Sequence, residues 1–173
     1  MENRVLVTYG SKYGGTAEIA ERIGHVLREA GLQADVLSAD KAGDPSAYEA
    51  VLVGSGVYIG QWRKEAARFL QNHEAVLAER PVWLFSSGPT GEGDPNELVQ
   101  GWELPGKLKE TVGRIEPRDV AVFHGVLEWD KLNLIEKWMI RNVKSPVGDF
   151  RDWEAITAWA QSIADELCQD REA

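Results

Sequence analysis

The chain has 173 residues, of which 43% are hydrophobic and 27% are charged, and its formal net charge at pH 7 is −9. This length and composition predict a single domain over residues 1–173, and the acidic balance argues against nucleic-acid binding. Cys168 is the only cysteine, which excludes an internal disulfide and a cluster of thiolate metal ligands.

The first residues lead directly into an apolar strand, without an apolar signal segment. No run approaches the roughly 20 apolar residues that a membrane span needs. We therefore expect a cytoplasmic protein without a membrane span. The three histidines are scattered without ligand spacing, so we predict no metal site.

The most informative segment lies between the first strand, residues 4–9, and a helix that runs to about Ala30. Its backbone N–H groups, the helix dipole and nearby hydroxyls can converge on one phosphate group. The spacing fits neither a nucleotide-hydrolysing P-loop nor a dinucleotide fingerprint, which favours a terminal monophosphate. An ordinary glycine-rich connection is the alternative interpretation. The candidate phosphate-binding residues are Ser11, Lys12, Tyr13, Gly14, Gly15 and Thr16.

Strands and helices alternate along the rest of the chain. Alternating or continuous apolar patterns predict strands over residues 33–38, 50–54, 82–86 and 120–124. Helical patterns cover residues 63–78, 106–115 and 153–167, the last with Asp152 as its N-cap. This alternation predicts an α/β fold in which a five-stranded parallel sheet carries helices on both faces.

Three loops follow the carboxyl ends of the first, third and fourth strands, where ligands bind in such sheets. A monophosphate in the first loop, a flat aromatic group beside Tyr58 or Trp62, and backbone donors in the loop over residues 87–94 would suit flavin mononucleotide (FMN). Ordinary packing is the alternative for both aromatic residues. The candidate residues around the ring are Ser55, Gly56, Val57, Tyr58, Trp62, Ser87, Gly88, Pro89, Thr90 and Gly91.

An insert over residues 125–149 follows the fifth strand. Apolar residues recur in it at helical spacing, and basic residues lie between them. One interpretation is a helix that packs on the domain with solvated lysines. The other is a surface for an anionic or apolar substrate, a quinone or a membrane interface. The apolar set is Leu132, Ile135, Trp138, Met139 and Val143, and the basic set is Lys131, Lys137, Arg141 and Lys144. His124, which ends the strand before the insert, is a further candidate for a place near the flavin.

Three segments together resemble the flavodoxin family: YGSKYGGT at residues 9–16, VGSGVYIG at 53–60 and DFRDWE at 149–154. Within that family, the branch of menaquinone-dependent protoporphyrinogen dehydrogenases is the most similar. The resemblance covers essentially the whole chain. It implies a flavodoxin-like sheet with strand order 2-1-3-4-5 and bound FMN, with residues 11–16, 55–58 and 87–91 matching the phosphate loop and the two flavin loops.

Two functional classes stay open. The first is an FMN-dependent oxidoreductase that passes electrons between a small organic donor and a quinone-type acceptor, and the insert favours it. The second is an electron carrier that docks to redox partner proteins, and the acidic surface favours it. A phosphoacceptor receiver domain would need acidic residues where this chain has Tyr9-Gly10 and Gly54-Ser55. No side chain is predicted to act as an acid or a base.

Overall fold

A six-stranded sheet lies at the centre of the computed structural model, which describes residues 3–173. Its strands are β1 Arg4–Gly10, β2 Gln33–Ser38, β3 Ala50–Tyr58, β4 Gln61–Trp62, β5 Val82–Ser87 and β6 Asp119–Phe123. Five of them are parallel in the order β2-β1-β3-β5-β6, while the short β4 pairs antiparallel with the end of β3. The predicted order 2-1-3-4-5 of the five parallel strands is therefore confirmed.

Helices cover both faces of the sheet. They are α1 Gly15–Glu29, α2 Lys64–Asn72, α3 Glu74–Leu77, α4 Pro95–Leu98, α5 Lys109–Ile115, α6 Leu134–Val143 and α7 Trp153–Glu172. The apolar faces of α1 and α7 pack on one side of the sheet, and α2, α3 and α5 pack on the other. Within residues 3–173, no helix is both long enough and apolar enough to cross a bilayer.

The order in which the strands are added reverses between β1 and β3. From β1 the order runs outward to β2 on one side, and from β3 it runs outward to β5 and β6 on the other. The loops that follow β1 and β3 are therefore splayed apart at their carboxyl ends and leave a crevice between them. The candidate site lies in this crevice.

Two elements differ from the sequence-based prediction. Residues 55–62, expected to be a loop, form the end of β3, a tight turn and β4. The reason is turn chemistry, because Ile59 and Gly60 both adopt positive φ values of 50° and 67°, which suits a two-residue hairpin. The helix expected over residues 63–78 is interrupted at His73, where φ is −115° and ψ is 17°.

The insert leaves the sheet after β6 and returns before α7. Its two ends pair as short antiparallel strands, β7 Val126–Leu127 and β8 Gly148–Asp149, which we call the stem. Between them lies α6, which begins with a capping box in which the Asn133 side chain accepts from the Glu136 N–H at 2.8 Å. The predicted helix in the insert is thus present.

Candidate cofactor site

A cavity of about 410 Å³ opens at the carboxyl ends of β1, β3 and β5. The loops after these strands form one side of it, which we call the sheet-side wall. The three loops singled out in the sequence therefore meet at one cavity. The predicted site residues that line it are Ser11, Lys12, Tyr13, Gly15, Thr16, Gly56, Val57, Tyr58, Ser87, Gly88 and Thr90.

The turn before α1 has the features of an anion cradle. Gly14 occupies the N-cap with φ at 90°, and no side chain caps the helix. The first N–H groups of α1 are consequently left for a ligand, at the positive end of the helix dipole. The Thr16 hydroxyl is nearly buried beside them, and a Cβ added to Gly56 would lie 3.0 Å from its Oγ1. The cradle fits a phosphate group.

The two aromatic residues of the second loop have different environments. Tyr58 lines the cavity, and the Lys12 Nζ atom lies 4.9 Å from the centre of its ring. Trp62 is buried in the core instead, where its indole N–H donates to Ser86 Oγ at 2.8 Å. Trp62 therefore does not line the cavity, because its polar atom already has a partner in the interior. Of the two aromatic residues predicted in this loop, Tyr58 is the one that lines the cavity.

Four other predicted residues, Gly14, Ser55, Pro89 and Gly91, also lie outside the lining of the cavity. Ser55 braces the second loop, because its Oγ atom accepts from the Arg63 N–H and donates to the Gly56 carbonyl, both at 2.8 Å. Gly91 has φ at 113°, so it shapes the third loop. These residues support the backbone behind the wall.

His124 acts on the third loop from the interior. Its Nδ1 and Nε2 atoms lie 3.1 Å from the Pro89 carbonyl oxygen and 2.7 Å from the Gly93 carbonyl oxygen. The ring is buried and is not part of the cavity lining. His124 therefore connects the two ends of this loop. The sequence suggested that His124 lies near the flavin, whereas in the structure it contacts the loop from behind and holds its shape.

The opposite side of the cavity comes from the insert. Its apolar side chains form what we call the insert-side wall: Val126, Leu127, Leu132, Met139, Ile140 and Val143. The apolar set identified in the sequence is divided by the structure. Leu132, Met139 and Val143 line the cavity, whereas Ile135 and Trp138 do not and are 71% and 66% exposed.

Glu136 is a site residue that sequence reasoning missed. It lies on α6, is only 3% exposed, and its carboxylate accepts from the Lys12 ammonium and the Tyr13 hydroxyl. It also accepts from the Asn133 N–H at 2.9 Å. Burial by itself raises the pKa of this carboxyl, but the hydrogen bonds from Lys12 and Tyr13 outweigh burial and lower the pKa to about 2. Glu136 is thus an ionised tie between the insert and the phosphate turn.

The sequence indicates the local role of Glu136 but not its distant contact. The spacing of Asn133 and Glu136 is that of a capping box, which explains why Glu136 begins a helix. A capping pattern ordinarily indicates a solvated carboxylate. Its contact with Lys12, which is 124 positions away, follows from how the insert folds back and has no local pattern.

Comparison with known proteins gives a consistent result. The profile of the flavodoxin domain family matches residues 6–153. The chain is 23% identical over 172 residues to the protoporphyrinogen IX dehydrogenase (quinone) of Escherichia coli strain K12, which covers 93% of this chain and 94% of that protein.

Solved structures share the fold. The rubredoxin:oxygen oxidoreductase of Desulfovibrio gigas superposes with a TM-score of 0.65 at 16% identity, over 99% of this chain and 37% of that one. The present chain therefore spans little more than a third of that protein. A flavodoxin from the domain Archaea superposes with a TM-score of 0.63 at 16% identity, over 95% of this chain and 98% of that one.

Proposed function

The chain belongs to the flavodoxin domain family and binds FMN, and from this premise we propose that it is an oxidoreductase passing electrons from a porphyrinogen-type donor to a quinone. One observation carries the proposal. The cavity has the polar turn before α1 on one side and, on the other, a wall from the insert in which six apolar side chains outnumber Glu128, Lys131 and Ser145. A flavin that occupied the cradle side would face a wall suited to a second flat, apolar molecule.

Named residues would hold FMN. The Thr16 and Ser11 hydroxyls and the first N–H groups of α1 would bind the phosphate, while Tyr58 would flank the ring. Bound FMN supplies the redox chemistry, because its ring system accepts and releases electrons with protons. The protein supplies position and an apolar surrounding. Glu136 keeps the Lys12 ammonium fixed at the edge of the cradle.

The insert-side wall supports the choice of substrate class. Met139, Ile140 and Leu132 offer hydrocarbon and a polarizable sulfur to whatever stands opposite the flavin. Quinones and porphyrinogens are both ring systems with large apolar surfaces. The relative from Escherichia coli is named for oxidation of protoporphyrinogen IX with a quinone, and it matches the present chain over nearly its full length.

Electron transfer to a partner protein is the second candidate function. The net charge of −9 favours it, because an acidic surface steers basic partners. In that case the insert-side wall would shield the flavin and would contact no substrate.

Anaerobic stopped-flow reoxidation distinguishes the two functions. FMN-loaded protein would be reduced and then mixed with menadione, a soluble quinone, or with cytochrome c, a basic one-electron acceptor. Met139→Ser should slow reoxidation by menadione by about 10-fold, since it replaces an apolar contact in the wall, and leave reoxidation by cytochrome c unchanged. Leu98→Ser, an exposed leucine on α4 outside the cavity, is the matched control.

Reoxidation by cytochrome c that far exceeds reoxidation by menadione, with no effect of Met139→Ser on either, would support the carrier instead. The donor side is tested separately. Protoporphyrinogen IX is colourless and its oxidised product fluoresces, so an anaerobic mixture with menadione should become fluorescent only when the FMN-loaded protein is present.

A further inference from the structure

The outer face of α6 is the most apolar exposed surface in the described part of the chain. Leu134, Ile135 and Trp138 are 85%, 71% and 66% exposed, and we call them the outer patch. Single exposed apolar residues are ordinary, but three on one ten-residue helix are not. A surface of this kind indicates something that covers it.

Helix geometry separates the outer patch from the cavity. With about 3.6 residues per turn, Glu136 and Ile140 share one face of α6, and Leu134 and Trp138 share the opposite face. Glu136 is buried and Ile140 lines the cavity, so this face is already in use. The outer patch therefore has a role apart from forming the insert-side wall.

Two basic side chains of α6 lie beside the outer patch. Lys137 and Arg141 extend along its edge, with their cationic groups 5.6 Å and 5.0 Å from the centre of the Trp129 ring. Lys144 follows the helix, whereas Lys131, which precedes it, lines the cavity and pairs with Glu128 at 3.0 Å. Glu136, the one acidic residue within α6, is buried and paired with Lys12, so it does not offset this charge. The helix α6 therefore carries two cations and no exposed carboxylate, on a chain with a net charge of −9.

These observations decide between occupants. A second copy of the chain, joined through the outer patch about a two-fold axis, would bring the same Lys137 and Arg141 side chains face to face. An acidic protein surface would pair with those cations but offers little apolar contact for three exposed hydrophobic side chains. An anionic lipid surface satisfies both requirements, because its headgroups bind cations while the acyl boundary accepts Leu, Ile and Trp.

We propose that α6 is a membrane-docking helix, which inserts Leu134, Ile135 and Trp138 into an anionic lipid surface while Lys137 and Arg141 contact the headgroups. The cavity then lies on the other side of the same helix, about one helix diameter of 10 Å from the lipid. Val143 and Ile59, which line the cavity and are 67% and 70% exposed, mark an apolar edge at its mouth. An apolar substrate dissolved in the lipid would reach the cavity along this edge.

Vesicle co-sedimentation tests the proposal with the FMN-loaded protein. It should bind vesicles that contain phosphatidylglycerol, and bind vesicles of phosphatidylcholine alone much less. Replacing the outer patch in Leu134→Ser/Ile135→Ser/Trp138→Ser should lower the partition constant by at least about 100-fold. Leu98→Ser, another exposed leucine elsewhere on the surface, is the control and should bind as the parent does.

The charge contribution has its own pair of variants. Lys137→Gln/Arg141→Gln should lower partition by about 30-fold, at roughly a factor of five for each cation, and raising the salt concentration should weaken the parent in the same way. Lys107→Gln/Lys109→Gln is the matched control, because it removes two exposed lysines at the start of α5. All variants should retain the parent's FMN affinity and thermal midpoint, which shows that they remain folded.

Failure of the parent to bind phosphatidylglycerol vesicles would overturn the proposal, as would equal binding by the outer-patch variant. A concentration-dependent dimer in sedimentation velocity that the outer-patch variant abolishes would assign the surface to a second copy instead. None of these outcomes depends on which donor or acceptor the flavin serves.

Discussion

The two walls of the cavity are built by different means. The sheet-side wall is formed by loops that follow the ends of buried, paired parallel strands. The insert-side wall is made of side chains on one exposed helix, which reaches the phosphate turn through the Glu136 carboxylate. The first wall therefore depends on the sheet, whereas the second depends on one inserted segment. The predictions below test this contrast, beginning with the largest effect.

Removing the Glu136 carboxylate should lower stability more than any other change. Glu136→Ala should lower the free energy of unfolding by about 3 kcal/mol, since it leaves the Lys12 ammonium without its buried partner. Urea unfolding measures the loss. Glu128→Ala is the control, because Glu128 is an exposed carboxylate in the same insert that pairs with Lys131 at 3.0 Å, and its removal should change stability by no more than about 0.5 kcal/mol.

A double-mutant cycle of Lys12→Met and Glu136→Gln separates the tie from general damage. Coupling of at least about 1 kcal/mol is expected for two groups in contact. Additive effects would mean that the two walls fold independently.

Acid should destabilise the protein by protonating the same carboxylate, that of Glu136. The pKa of Glu136 is about 2 in the folded protein against an ordinary 4.5, so the unfolded chain takes up this proton first. The stability that the carboxylate contributes is therefore complete above about pH 4.5 and is lost as the pH falls towards about 2. Urea midpoints should fall less steeply over this range in Glu136→Gln than in the parent. Parallel curves would assign the acid sensitivity to other carboxylates.

The phosphate cradle should discriminate between two flavins. Thr16→Ala should weaken FMN by about 1.5–3 kcal/mol, the usual loss for a hydrogen bond to a charged group, and leave riboflavin nearly unchanged. Isothermal titration of the apoprotein measures both affinities. Thr90→Ala, at the other end of the sheet-side wall, should affect the two flavins equally. Equal losses of affinity for both flavins in Thr16→Ala would show that Thr16 does not bind the phosphate.

The ring end of the same wall should depend on Tyr58. Tyr58→Ala should weaken FMN and riboflavin alike by about 0.5–1.5 kcal/mol and restore part of the flavin fluorescence that stacking quenches. Trp62→Phe should leave the fluorescence quenched but cost about 1 kcal/mol of stability, since Ser86 loses its indole donor. The reverse outcome would mean that the core tryptophan reaches the flavin.

The smallest effect is expected at Ile59, a β-branched residue with φ at 50° in the turn between β3 and β4. Asparagine tolerates this conformation better, so Ile59→Asn should raise the free energy of unfolding by up to about 1 kcal/mol. Ile135→Asn makes the same change at an exposed isoleucine inside α6, where it should be neutral or slightly destabilising. A gain at both positions would point to reduced surface hydrophobicity as the cause.

The same contrast explains what the sequence could predict. The sheet-side wall follows from local patterns, because a glycine-rich turn after an apolar strand specifies its own backbone. That is why the sequence could point to residues from Ser11 to Thr16 and to the neighbours of Tyr58 as candidates, most of which line the cavity. Trp62 was misplaced because an aromatic residue near a binding loop looks the same in sequence whether it faces the ligand or the core.

The insert was only half predictable. Its helix followed from the spacing of the apolar residues, but that spacing could not say which of them face the cavity. Met139 lines the cavity and Trp138, its neighbour in sequence, is exposed. Glu136 depends on how the whole insert folds back over the phosphate turn, which no local pattern encodes.

The stem has a consequence for how this chain can be altered. Val126 pairs with Asp149 and Leu127 with Gly148, and the Phe150 N–H donates to the Gly125 carbonyl at 3.1 Å. The excursion thus starts and finishes at almost the same point, beyond the last strand of the sheet. Removal of the whole segment would leave every strand pairing of the main sheet intact. The entropic difference between long and short loops is small, so the cost of removal would come from lost contacts such as those of Glu136 with Lys12 and Tyr13. The insert can therefore be shortened or exchanged by design at the stem, without altering the strand register of the main sheet.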